Sequence, residues 1–205
     1  MRAWLKENKL LLIIFGIAVV AFIILDFSYL WFTITHWADD KINEPIISQN
    51  NYGEPNILTI PSLGITAPIV YAEKNDEKIF QQALKNGVVH FPDTANPGEL
   101  GNCYIFGHSS DYIWSNGKYK TIFAPLTKIE QGAEITITDN SGKFFKYIVT
   151  KTFVTSPTDL SVLDQGNNQK RLLTLQTSWP LGTALKRFIV VAEMKEKTPP
   201  NIGGE

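Results

Sequence analysis

Short apolar or alternating runs separated by turn residues recur from residue 57 onward: Ile57 to Ile60, Ile65 to Tyr71, Asn102 to Phe106, Glu134 to Thr138, Lys143 to Thr155, Arg171 to Thr177 and Lys186 to Glu193. This spacing predicts an all-β domain, a barrel or a sandwich. In the sixth run Thr174 and Gln176 alternate with Leu175 and Thr177, which is the two-residue period of a strand. Pro180 has no N–H to give a ladder, so pairing is expected to end near Ser178 and to leave that side chain on a rim. Asp139-Asn140-Ser141-Gly142, between two strand patterns, is a hairpin turn signal. One stretch has helical spacing instead. Within Asp76 to Asn86, residues Ile79, Phe80, Ala83 and Leu84 share a face, Asp76 and Glu77 suit the N-terminal end, and Gly87 can cap the other. This helix is expected to close one mouth of the barrel.

The N-terminal part reads differently. Leu10 to Leu25 is an unbroken apolar run, spanning roughly 24 Å at a helical rise of about 1.5 Å per residue, and Phe27, Tyr29, Leu30, Trp31 and Phe32 extend it towards the roughly 30 Å hydrocarbon core. Asp26 would be costly at the bilayer centre but is tolerated near the outer boundary, beside an aromatic belt of Tyr29, Trp31 and Trp37. Arg2, Lys6 and Lys9 precede the run, so the positive-inside rule puts residues 1–9 in the cytoplasm, a single transmembrane anchor at 10–35 and the rest outside the cell membrane. A cleaved signal peptide is the rival reading. It needs a small-x-small site after Leu25, where the chain offers only Asp26-Phe27-Ser28, so the helix is expected to be retained. His36 borders the membrane and reads as interfacial. Residues 36–56, polar from Asp39 and containing Pro45, Gly53 and Pro55, form a linker; 57–194 is the folded domain; and 195–205, with Pro199-Pro200 and Gly203-Gly204, is a flexible tail.

Composition adds exclusions. With 19 basic and 20 acidic residues the net charge is -1, and there is no basic run or helix face of the kind that tracks phosphates, so no nucleic-acid partner is expected. The single cysteine, Cys103, cannot form an intrachain disulfide, and the domain must draw its stability from its core.

The chemistry-bearing positions are few. His108 follows Gly107 at a strand-to-loop junction, a place for chemistry, although a lone histidine there is more often a solvated or hydrogen-bonded loop residue. Arg187 follows Ser178 by nine residues, through the turn Pro180-Leu181-Gly182-Thr183. That is a hairpin-scale return able to bring the guanidinium, always charged and rich in fixed donors, beside residue 178. An isolated strand arginine is otherwise usually structural. Cys103 lies five residues before His108, roughly 16 Å along an extended strand, and reads as core-facing. His90 reads as structural or groove-lining. Asp159 and Asp164 are too few and too irregularly spaced for a calcium site, so no metal and no cofactor is expected. The aromatic residues Tyr112, Trp114 and Tyr119 in Ser109 to Ile122 fit either a substrate-facing loop or packing on the barrel wall.

Taken in order, Ile60-Pro61, Gly101-Asn102, Gly107-His108, the series Phe123, Leu126, Ile129 and Gly132, Thr174-Leu175-Gln176-Thr177-Ser178 and Arg187-Phe188-Ile189-Val190 resemble the sortases, membrane-anchored cysteine transpeptidases whose signature strand ends in Thr-Leu-x-Thr-Cys. The resemblance runs from about Asn56 to Met194. It implies a closed sortase-type β-barrel with one or two short helices. It also implies cleavage of an LPxTG-like sorting signal of exported proteins and transfer of the acyl group to a cell-wall or pilin amine. Mapped onto this chain, Ser178 takes the nucleophile position, His108 the acid/base position, Arg187 the oxyanion or substrate clamp, and Thr177 the adjacent substrate-binding support.

The departure is serine in place of cysteine. A thiol with a reference pKa of about 8.5 ionises readily beside a cation, whereas a serine hydroxyl stays protonated and needs an oriented base. The resemblance therefore implies a chain that has lost most or all turnover while keeping fold and groove. The serine reads as an engineered exchange, the alternative being a natural serine in a pseudoenzyme, because every other mapped position is intact. A catalytically inactive module that binds sorting peptides or pilins is the second functional reading. A cysteine peptidoglycan transpeptidase ranks last for want of its histidine-glycine and cysteine motif.

Overall fold

The computed structural model describes residues 53–110, 117–166 and 169–195. The expected cytoplasmic segment, the anchor, nearly all of the linker, Tyr112, Trp114 and the tail after Lys195 lie outside the described residues. Among those described, no helix is long and apolar enough to cross a membrane.

Eight strands form a closed barrel: β1 (Ile57–Ile60), β2 (Ile65–Tyr71), β3 (Val88–His90), β4 (Gly101–Phe106), β5 (Glu134–Thr138), β6 (Phe144–Thr155), β7 (Arg171–Trp179) and β8 (Lys186–Met194). Around the wall they run β1, β2, β3, β4, β7, β8, β6, β5 and back to β1, so no sheet edge is left unpaired. β2 with β3 and β4 with β7 are parallel, and every other neighbouring pair is antiparallel. Alternation then fills the inside: Leu58, Ile60, Ile65, Leu173, Leu175 and Ile137 are all at most 1% exposed.

Seven of the eight strands coincide with the runs of the sequence pattern to within a residue or two at their ends. β7 continues to Trp179, opposite Lys186, just before Pro180. The strand that periodicity misses is β3. All three of its residues are buried, Val88 facing the barrel interior and Val89 the outer wall, so no apolar-polar alternation marks it.

β3 also changes the place of the helix. Two parallel neighbours need a crossover connection, and α1 (Glu77–Leu84) supplies it between β2 and β3 along the outside of the barrel. Its buried face, Phe80, Ala83 and Leu84, packs on Val89 with Val70, Phe91 and Phe106. It therefore covers a wall and not a mouth. Asp76 caps it as expected, Oδ1 accepting from the N–H groups of Lys78 at 2.8 Å and Ile79 at 3.2 Å. The helix ends instead at Lys85 in right-handed conformation, and Gly87 has another role: a Cβ there would sit 2.1 Å from the Pro68 carbonyl oxygen. The absent side chain is what lets the crossover return tightly onto β2.

The mouth is closed by a 3₁₀ segment, Ala124–Lys128. Three residues per turn align Phe123, Leu126 and Ile129, and all three enter the core cluster. Tyr119 also packs against this core, which settles it as a wall residue. Only two ion pairs, Lys146 with Glu134 and Lys170 with Glu193, occur among the described residues, both on exposed side chains, so burial carries the stability. Leu175, 0% exposed and registered between Ile105 and Val190, tests this. Leu175→Ala is expected to destabilise by about 3 kcal/mol, measured as a lower urea midpoint at unchanged slope.

Candidate active site

Strand polarity fixes where side chains can meet. β4 and β7 run parallel with Phe106 opposite Gln176, so the two residues that follow on each strand, His108 and Ser178, leave the barrel side by side at the same end. β8 begins at that end too, and the antiparallel register sets Arg187 directly opposite Ser178. The nine-residue spacing thus closes as the expected hairpin. His108, Ser178 and Arg187 all line one groove of about 810 Å³ on the outer face of the wall.

The backbone beneath His108 is held from three directions. Gly107 N–H donates to the Gln176 carbonyl at 3.1 Å, Phe123 N–H donates to the His108 carbonyl at 2.9 Å, and Thr177 Oγ1 donates to the Gly107 carbonyl at 2.9 Å. A Cβ on residue 107 would meet the Phe123 ring at 2.8 Å, so the glycine permits the mouth plug to seat directly under the histidine. Thr177 itself is 1% exposed with its hydroxyl committed to Gly107. Its side chain thus ties the histidine turn to β7, a structural role beyond the substrate support that the resemblance implies.

Arg187 Nη1 donates to the carbonyls of Ala184 and Lys186, both at 3.1 Å, which pins the guanidinium against its own hairpin. The groove floor beside it carries Tyr104, Phe106 and Gln176, with α1 on one flank and the β6–β7 connection on the other. That connection is anchored: Asn102 Nδ2 donates to the carbonyls of Val162 at 3.0 Å and Asp164 at 3.2 Å, and Gln165 Oε1 accepts from the N–H groups of Asn102 and Ala95, both at 3.1 Å. Leu160 stands on its rim at 72% exposure.

The other sequence candidates are committed elsewhere, although Asp159 borders the groove. Cys103 is buried in the barrel core, where desolvation pushes its thiol far up, away from ionisation. Asp159 holds its own loop, Oδ1 accepting from Ser161 N–H at 3.0 Å and Ser161 Oγ at 2.6 Å and Oδ2 from Thr155 Oγ1; these hydrogen bonds, Ser161 first, lower its pKa. Asp164 Oδ1 likewise accepts from Gly166 N–H at 2.9 Å. Among the described residues no group of three or more His, Cys, Asp or Glu is placed to hold a metal.

His90 is structural. It is 5% exposed, its Nε2 lies 2.9 Å from the Ala95 carbonyl oxygen, and its ring sits 4.8 Å from that of Tyr71. Desolvation lowers its pKa, only partly offset by the Ala95 carbonyl and Glu99. A folded pKa below the unfolded value means that protons favour the unfolded chain. The stabilisation is whole above about pH 6.5 and is lost as pH falls through the lowered value. Accordingly, the melting temperature should fall between about pH 7.5 and pH 5, and His90→Gln should reduce that fall. Thr177→Val leaves the buried Gly107 carbonyl without its donor and is expected to cost about 1–2 kcal/mol in denaturant unfolding.

Residues 58–195 match the Sortase domain family. Sortase D of Bacillus subtilis (strain 168) is 28% identical over 137 residues, covering 65% of this chain and 60% of that protein. Sortase SrtE1 of Streptomyces coelicolor is 32% identical over 160 residues, covering 72% of this chain and 42% of that one. The chain thus spans between two-fifths and three-fifths of the length of these relatives. A solved Clostridium perfringens Sortase D5 transpeptidase is 31% identical, covers 68% of this chain and 78% of its own, and superposes with a TM-score of 0.55. Sortase C-1 of Actinomyces oris, at 24% identity over 69% of this chain and 73% of its own with a TM-score of 0.57, shares the fold. A family match across the whole described barrel, with the groove built at the ends of β4 and β7, makes this chain a member of the sortase family.

Proposed function

We propose that the domain is a sortase-type transpeptidase scaffold that binds an LPxTG-like sorting signal, with His108, Ser178 and Arg187 at its reacting end. The single observation that carries this is the lining of one groove by these three side chains, delivered by three different strands. The groove suits a peptide: Phe106 on its floor, Phe80 and Leu84 on its helical flank and exposed Leu160 at its edge offer burial to apolar side chains, among polar groups able to meet a backbone.

With a thiol at position 178, sulfur attacks the threonine carbonyl carbon of the signal and the oxyanion that develops is met by the Arg187 guanidinium. The C–N bond then breaks as His108 hands a proton to the departing amine. An incoming cell-wall or pilin amine attacks the thioester, returns a proton to His108 and expels the sulfur. Serine stops this at the first step. Its hydroxyl is not ionised at working pH, and the oxygens of Asp159 on the groove lining are already committed to Ser161 and Thr155.

The reading has a spatial corollary. By strand polarity the described chain joins the barrel beside the β5–β6 hairpin, Gly53 N–H donating to the Gly142 carbonyl at 2.8 Å, at the end opposite the groove. If residues 10–35 anchor the chain in the cell membrane, the groove lies at the barrel end opposite the one where the anchored chain enters. The serine favours one second reading, a sortase-like module that grips sorting peptides or pilins without turning them over.

A peptide-transfer assay read by mass spectrometry separates the two. The chain with Ser178 is expected to bind a sorting peptide without forming an acyl enzyme, and Ser178→Cys to cleave and transfer. In that variant His108→Ala should lower kcat by about 10²- to 10⁴-fold. A Ser178→Cys variant that binds but never cleaves supports the binding module; one that binds no sorting peptide sinks both readings.

A further inference from the structure

Two residues of the groove floor form a polar pair that the reacting set does not use. Tyr104 Oη donates to Gln176 Oε1 at 2.5 Å across the parallel β4–β7 pairing. Tyr104 is 2% exposed, its ring set edge-on against Phe91 at 5.9 Å, so the hydroxyl has little freedom. Because that hydroxyl is the donor, the Gln176 carbonyl oxygen is taken and the amide must turn its Nε2 the other way. Gln176 is half-buried and its Nε2 has no hydrogen-bond partner among the described residues. Its neighbours on the same rung are Phe106 on β4 and Ile189 on β8, so two N–H donors stand alone in an apolar strip.

The strip is also in register with the reacting position. Gln176 and Ser178 are two residues apart on one strand and share a face, roughly 6.6 Å apart. An extended peptide repeats its carbonyls on one side at the same interval.

We propose that Gln176 is a substrate-binding residue, donating from Nε2 to a peptide carbonyl about two residues along from the reacting bond, and that Tyr104 is the positioning residue that fixes the amide in that sense. The inference rests on the groove being a sorting-peptide site. A donor pair in an apolar floor binds well only when an acceptor meets it, because an unmatched donor loses its water on complex formation. The pair therefore selects an extended backbone with an accessible carbonyl at that point.

The test is a double-mutant cycle on the full chain, with a fluorescein-labelled pool of Leu-Pro-x-Thr-Gly peptides as the probe and fluorescence anisotropy as the readout. Gln176→Leu is expected to weaken binding about 5- to 10-fold and Tyr104→Phe about 3-fold, the effect of one net hydrogen bond or less. The double variant should bind no worse than Gln176→Leu alone, because Tyr104 acts only through the amide. In the Ser178→Cys background the same substitutions should raise KM and leave kcat within about twofold. Tyr104→Phe keeps the packed ring, so it stays informative should Gln176→Leu fold poorly. Unchanged binding by Gln176→Leu, unchanged binding by Tyr104→Phe, or losses that multiply in the double variant would each overturn the assignment. Should the parent chain bind no peptide of the pool, the site reading falls and this inference with it, an outcome distinct from a parent that binds and variants that match it.

Discussion

The site depends on the parallel pairing of β4 with β7. Parallel neighbours deliver their C-terminal ends to the same rim, so His108 after one strand and Ser178 at the end of the other meet without any long loop to steer them. An antiparallel arrangement would have put them at opposite ends of the barrel. The pairing also explains why the residues beneath the groove are so constrained. Thr177 and Gly107 bridge the two strands just past the last registered pair, and Phe123 fits under residue 107 only because no Cβ is there. Barrel closure, mouth plug and histidine placement are one construction.

How much of this could be read from the chain alone varies by element. The β7 strand and its hairpin to β8 were legible because alternation and the proline fix both the face and the end of pairing. The facing of Arg187 and Ser178 follows from those and is the observed register. β3 was not legible: a strand buried on both faces shows no period, and its short run Val88–His90 has no length to compensate. Missing it also misplaced the helix, since without a parallel β2–β3 pair nothing demands a crossover along the wall. The role of Gly87 is hidden for the same reason, because its contact with Pro68 exists only once that crossover is made.

Side-chain commitments were the other illegible layer. Thr177 sits beside Ser178 in the motif, yet its inward face and its bond to Gly107 are facts of the tertiary fold. The Tyr104–Gln176 pair joins residues 72 apart in sequence, and neither type at either position announces the other. Asp159 has no ligand spacing in the sequence, but where its oxygens go is not legible there either: they are consumed by Thr155 and Ser161 within a few residues. Short-range turn chemistry of that kind competes with function for every loop carboxylate.

The groove's flank has the same logic. A peptide groove whose wall is a loop must order that loop on binding, which costs affinity, unless the wall is already held. Here Asn102 grips the β6–β7 connection through two carbonyls while Gln165 reaches back to the backbone of Asn102 and Ala95. Asp159 closes the first turn of that same connection. The wall that carries Leu160 is therefore fastened to the starting end of β4, whose far end carries His108. One strand thus sets both the width of the groove and the position of its imidazole. Asn102 therefore shapes the groove without touching the residues at its far end.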